Sequence, residues 1–210
     1  MPRFSGVFSA GRRQPGAAGR HCRRRRPGSG PGRICRVAHL LGPVDLMIAN
    51  AGVGIHTQLD PMNTGDTERM VRTNLLGVVY CLEAVLPEML RCGPGHVVAV
   101  SSAAAKKGLP GASAYCATKA AVGAYLEGLR IQLRGKNIHV TTIFPGFVRT
   151  PMAEANGHHM VWLMAVDQAA RRIAPQMVRP SDSHRQHQEP DLLSTHSELT
   201  TGRFAPIINL

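Results

Sequence analysis

Three short apolar runs, each closed by turn-forming residues and separated by stretches of helical periodicity, constrain this chain's fold more than any other feature. They are "VDLMIANAG" (Val44 to Gly52), "HVVAVSS" (His96 to Ser102) and "NIHVTTIFPG" (Asn137 to Gly146). None alternates apolar with polar residues, so each predicts a strand buried on both faces. Between them, "TERMVRTNLLGVVYCLEAVLPEMLR" (Thr67 to Arg91) repeats its apolar residues at helical spacing, and Ser113 to Leu133 sets Leu126, Leu129 and Leu133 on one helix face. Strand, helix, strand, helix, strand predicts a parallel sheet. Right-handed crossovers make it an α/β fold, a Rossmann-like doubly wound sheet. A further helix is expected over Asp167 to Met177, and "RFAPIINL" (Arg203 to Leu210) reads as an edge strand or as no element.

The basic charge is unevenly placed. Residues 1–36 hold ten arginines and no acid, and 21 of those 36 residues are Arg, Gly or Pro. Such a segment buries too little apolar surface to offset its ordering entropy, so residues 1–36 are expected to be disordered, residues 37–179 to form the core, and residues 180–210 to be a polar tail. Outside the first 36 residues the chain is close to neutral. The arginine run Arg23 to Arg26 lacks aromatic interleaving, so it reads as a solvated tail rather than a nucleic-acid site. No run of 18 apolar residues and no secretory h-region occurs, which predicts a cytoplasmic protein with no membrane span. The five cysteines never form a CxxC pair and are expected to be reduced thiols; His184 and His187 lack further ligands, and no metal is expected.

In a sheet of this kind ligands bind beyond the carboxyl ends of the strands. There the chain places Asn50, Ala51 and Gly52, then Ser101 and Ser102, then Pro145, Gly146 and Thr150. Tyr115 and Lys119, four residues apart, share a face of the following helix. A phenol ionises near pH 10, and an adjacent ammonium favours the phenolate; ionisation closer to neutrality needs about 3 to 4 kcal/mol of differential stabilisation. Tyr115 could then move a proton while Ser102 holds the reacting oxygen. Taken alone, YxxxK also fits a surface tyrosine lying under a lysine stem, and Cys116 beside it reads as a packing residue. His158 and His159 with Met160, Trp162 and Met164 suit either an apolar pocket or core packing.

The set "NAG" (Asn50 to Gly52), Asn74 in "RTNLLG", Ser102 ending "VVAVSS", Tyr115 and Lys119 in YxxxK, and "FPGFVRTPM" (Phe144 to Met152) resembles the short-chain dehydrogenase/reductase family over about Val37 to Arg179. The resemblance implies that Tyr115 is the acid/base, that Lys119 lowers its pKa and binds the nicotinamide ribose, and that Ser102 orients the carbonyl. It implies that Asn74 holds a proton-relay water, that Asn50, Ala51 and Gly52 lie beside the adenosine half of the cofactor, and that Pro145, Gly146, Val148 and Thr150 cover the nicotinamide. The implied cofactor is NAD or NADP, the preference being unreadable, and the implied reaction is hydride transfer to or from a small carbonyl or alcohol. It also implies a homo-oligomer built on the helices carrying Asn74 and Tyr115.

The chain departs from that family upstream of Asn50. No three glycines there satisfy the TGxxxGxG spacing, and "GSGPGR" (Gly28 to Arg33) is not GxGxxG and follows no apolar strand. The first strands of the fold are therefore expected to be missing, which leaves the edge of the Asp45 to Ala49 strand open. A non-catalytic remnant that keeps the reactive residues but holds no dinucleotide is the alternative reading. A mis-set start or out-of-frame translation also fits the arginine-rich beginning and the polar end from about Ser181.

Overall fold

The computed structural model describes residues 8–9, 44–154 and 163–178. Its sheet has the order β1 (Phe8–Ser9), β2 (Leu46–Ala49), β3 (Gly95–Val100) and β4 (Ile138–Ile143). The three longer strands are parallel, in the register Met47 to Val97 to Val140. Each is joined to the next through helix, as the alternation of runs predicts. After β2 come α1 (Thr64–Met70), a π-helical segment (Val71–Leu76) and α2 (Gly77–Cys92). After β3 come a short 3-10 helix (Ala103–Lys106) and α3 (Ser113–Gln132), and after β4 come α4 (Pro151–Glu154) and α5 (Val166–Val178).

Successive strand residues point to opposite faces, and both faces are covered. Met47, Ala49, Val97 and Ala99 pack with Val78, Leu82, Val85 and Met89 of α2 and with Val122 and Leu126 of α3. Val98 and Ile143 turn the other way and meet Ala169 and Ile173 of α5, with Leu46 and Ile48 packed alongside. This two-sided burial is why the strand sequences do not alternate. Leu126 and Leu133 are buried as the helical spacing predicts.

Three local features differ from the expectations. The single helix predicted over Thr67 to Arg91 is a continuous helical run with a wide turn in its middle: Gly77 donates its N–H to Arg72 O, five residues back. Such π turns often mark functional positions, and Asn74 stands on this one. Phe8–Ser9, inside the arginine-rich segment, forms a short antiparallel strand on β2, with Phe8 opposite Met47 and Ser9 opposite Leu46. The edge expected to be open is thus met along half its length. Cys92 is disulfide-bonded, against the expectation of five reduced thiols, while Cys81 and Cys116 are free. The expected 203–210 strand, the 180–210 tail and His158, His159, Met160 and Trp162 lie outside the described residues.

Candidate active site

The carboxyl ends of β2, β3 and β4 bring the sequence candidates to one end of the sheet. Asn50 is exposed at the end of β2, followed by half-buried Ala51 and Gly52. Past β3, Ser102 opens the 3-10 helix, and its hydroxyl accepts the Ala104 N–H at 3.1 Å. Past β4, the Pro145 carbonyl accepts the Ala103 N–H at 2.8 Å, which fixes that loop against the residue following Ser102. Gly146 is half-buried, and Val148 bridges to Met164, whose N–H donates to Phe147 O. Thr150 caps α4, accepting the Ala153 N–H on both its carbonyl and its hydroxyl.

Tyr115 and Lys119 rise from the first turns of α3. The N-cap position, Ala112, has no side-chain oxygen; Thr57 reaches across from the loop after β2 and accepts the Ala114 N–H at 3.4 Å. Lys119 is only 4% exposed, so it is not a surface stem over a surface ring. Its Nζ donates to Val100 O at 2.9 Å and stands 5.8 Å from the centroid of the Tyr115 ring. Desolvation lowers its pKa from 10.5 to about 8, because a charged amine is costly where water is excluded.

The phenol behaves differently from the sequence expectation. Burial pushes the Tyr115 pKa up, and the principal opposing influence is the Ser102 hydroxyl rather than the Lys119 charge. Lys119 directs a donor at the end of β3, and its amine lies beside the aromatic ring. At neutral pH Tyr115 is a protonated acid. Burial also raises the thiol of Cys116, which keeps it from serving as a thiolate and leaves it a packing residue.

Asn74, 1% exposed, has a structural use for its side chain that its motif did not disclose. Its Oδ1 accepts the Val53 N–H at 2.8 Å and its Nδ2 donates to Val53 O at 2.9 Å, clamping the loop after Gly52. The same Nδ2 donates to Thr118 Oγ1 at 3.0 Å, and Thr118 donates to Tyr115 O at 2.8 Å. Ser101, the neighbour of Ser102, donates its hydroxyl to Lys119 O at 2.8 Å. Gly54 brings Tyr115 and Met152 together: a Cβ there would stand 3.5 Å from Tyr115 Cδ2 and 3.3 Å from Met152 Sδ. Sequence reasoning placed Ser101 at the strand end and Met152 in the motif after β4 without giving either a role, and gave Val53, Gly54 and Thr118 no place in the site. The available signals were the Ser101–Ser102 doublet and the position of Thr118 directly before Lys119.

The donors beside Gly52 test whether these residues suit a dinucleotide. A Cβ there would lie 3.3 Å from Lys119 Nζ and 3.4 Å from Asn74 Oδ1, so the absence of a side chain lets the amine and the amide lie close against this loop. An ammonium carries three donors, of which Val100 takes one. That donor set fits the hydroxyls of a ribose. A pyrophosphate needs a glycine turn at a helix N-terminus, and the described residues hold no such turn beside β2.

Comparisons with known proteins agree with this geometry. The model of the family described as short chain dehydrogenase matches residues 34–160, more than half of the chain. An uncharacterized oxidoreductase of Myxococcus xanthus is 39% identical over 138 residues, covering 66% of this chain and 54% of that protein. Among solved structures, an alcohol dehydrogenase from the archaeon Thermococcus sibiricus, complexed with 5-hydroxy-NADP, superposes with a TM-score of 0.61 over 71% of this chain and 63% of that one; at 24% identity the likeness is one of fold. A gluconate 5-dehydrogenase from Burkholderia cenocepacia, in complex with NADP and tartrate, gives a TM-score of 0.56 at 27% identity, covering 58% and 48%. The chain spans about half the length of the curated oxidoreductase it matches. With its parallel sheet covered on both faces and the family's motifs gathered at one end of that sheet, this chain belongs to the short chain dehydrogenase family.

Proposed function

We propose that this chain is an NAD(P)-dependent oxidoreductase acting at a C–OH or C=O group of a small molecule, with Tyr115 as the acid/base. The observation that carries this reading is the Tyr115 phenol, influenced by the Ser102 hydroxyl, with the buried Lys119 amine 5.8 Å from its ring at the carboxyl end of β3. When bound, the nicotinamide supplies or accepts the hydride. The chain's own residues handle the oxygen and its proton. Tyr115, kept protonated by burial, gives its proton to a carbonyl oxygen in this reading, and the Ser102 hydroxyl holds that oxygen by a second hydrogen bond. Lys119 presents its amine to the ribose and favours the phenolate once the proton has left.

The solved relatives bound to NADP and 5-hydroxy-NADP support a nicotinamide dinucleotide without deciding between NAD and NADP. Association through the helices of Asn74 and Tyr115 is supported by exposed Tyr80 and Leu90 on α2 and Tyr125 and Ile131 on α3, a pattern suited to a second copy of the chain. No described helix is long and apolar enough to cross a membrane. A cytoplasmic location remains part of the proposal.

One observation favours the second reading, a remnant that cannot hold the dinucleotide. The strand beside β2 is antiparallel, so its chain direction is opposite to that of a strand feeding a phosphate-binding turn at the Asn50 end. Fluorescence titration with NADH and NADPH separates the two readings. Saturable binding in the micromolar range supports the enzyme, and no binding at millimolar cofactor supports the remnant.

A further inference from the structure

Thr118 stands in the middle of a chain of hydrogen bonds that runs from the helix of Tyr115 to the loop after β2. Its hydroxyl has one proton, which goes to Tyr115 O at 2.8 Å. Toward Asn74 it can therefore act only as an acceptor, and it takes an Nδ2 proton at 3.0 Å. This fixes which way round the Asn74 amide sits. Its second N–H then meets Val53 O, and Oδ1 meets the Val53 N–H. Turned over, the amide would set NH2 against the Val53 N–H and an oxygen against the Val53 carbonyl, losing both bonds. Asn74 and Thr118 are 1% and 3% exposed, so water is poorly placed to substitute for either partner.

We propose that Thr118 is a positioning residue: through Asn74, its hydroxyl holds the Gly52–Val53 backbone at a set distance from Tyr115 and Lys119, and so shapes the place beside the Lys119 amine where the cofactor's ribose is received. In its binding readout this rests on the function proposed above; in its structural readout it does not. Val53 adjoins Gly52, which lacks a side chain and so lets Lys119 Nζ and Asn74 Oδ1 come close to this backbone. A shift of this backbone therefore changes the space offered to a ligand, although Thr118 itself need not touch one. The motif around it, "YCATK", gives no hint of this, because its neighbours at 115 and 119 carry the obvious chemistry.

The test uses the full chain with Thr118→Val, which keeps the shape but removes the hydroxyl, and Thr118→Ser, which keeps the hydroxyl. Amide hydrogen exchange is measured at Val53 and, as reference, at Val97 in the centre of the sheet. In T118V the exchange at Val53 is expected to speed up by about tenfold or more while Val97 changes less than about twofold, and T118S is expected to restore the wild-type rate. NADPH titration is expected to weaken by about fivefold in T118V and to stay within about twofold in T118S. Equal acceleration at Val53 and Val97 would mean a merely structural role and overturns the proposal, as does an unchanged Val53. If the wild-type chain binds neither NADH nor NADPH, the function proposed above fails, while the Val53 exchange still decides the role of Thr118.

Discussion

The carboxyl end of β2 and its outer edge are a few residues apart, yet they are built to different standards. At the carboxyl end, Gly52, Val53, Asn74, Thr118, Tyr115 and Lys119 form a dense set of contacts, and no buried side-chain nitrogen or oxygen among the described residues lacks a hydrogen-bond partner. Along the outer edge, β2 meets only the two residues of an antiparallel strand. The difference teaches that the two ends of this strand depend on different stretches of chain. The clustered end is made chiefly by contacts within residues 44–154, with Met164 holding the loop after β4. Phosphate binding depends on a parallel strand and glycine turn beside β2, a feature of a different stretch of chain.

If this contrast is correct, substitutions at the reactive end should have large effects and those at the edge small ones. A large one is expected for Ser102→Ala, which removes the hydroxyl proposed to orient the carbonyl; turnover of a carbonyl panel with NADPH should fall by about 100-fold to 1,000-fold, and a fall under threefold would contradict its role. A second effect is on stability and concerns Lys119. Burial holds its pKa at about 8 against 10.5, so between those values the unfolded chain keeps a proton that the folded chain has released. Folding stability should therefore rise as pH climbs from about 8 to about 10.5, by about 3 kcal/mol in full. Tyr115, whose phenol is pushed up, opposes this only above the ordinary tyrosine range. Chemical denaturation across that window checks the slope, and Lys119→Met should abolish it; a slope that persists in the variant would place its origin elsewhere. The smallest effect is expected for proline at both Phe8 and Ser9. A two-residue ladder contributes little, so stability should change by less than about 1 kcal/mol and NADPH affinity by less than about twofold. A larger loss of affinity would show that the edge strand supports the site.

How much of this was legible in the sequence follows from the same contrast. The strands were readable because burial on both faces leaves a non-alternating apolar signature, and Met47, Val97 and Val98 are buried as such runs require. Tyr115, Lys119 and Ser102 were readable because their chemistry is unusual for their surroundings. The direction of the electrostatics was not: spacing places a lysine four residues from a tyrosine, but only the fold shows its amine directed at Val100 O and the phenol dominated by burial and Ser102. Nor could the sequence reveal that Asn74 clamps Val53 through its side chain. That bond joins residues 21 apart across a π turn, and no local pattern encodes it. Phe8–Ser9 was missed because a strand of two residues has no period to detect.

Replacement of Tyr115 by phenylalanine, assayed for both NADPH binding and carbonyl reduction, tests the central claim most directly, because it removes one hydroxyl and keeps the ring. The expected result is cofactor affinity within about threefold of the wild-type chain and turnover lower by about 1,000-fold. Turnover equal to that of the wild-type chain would contradict the assignment of Tyr115 as the proton donor, and with it the function built on this site.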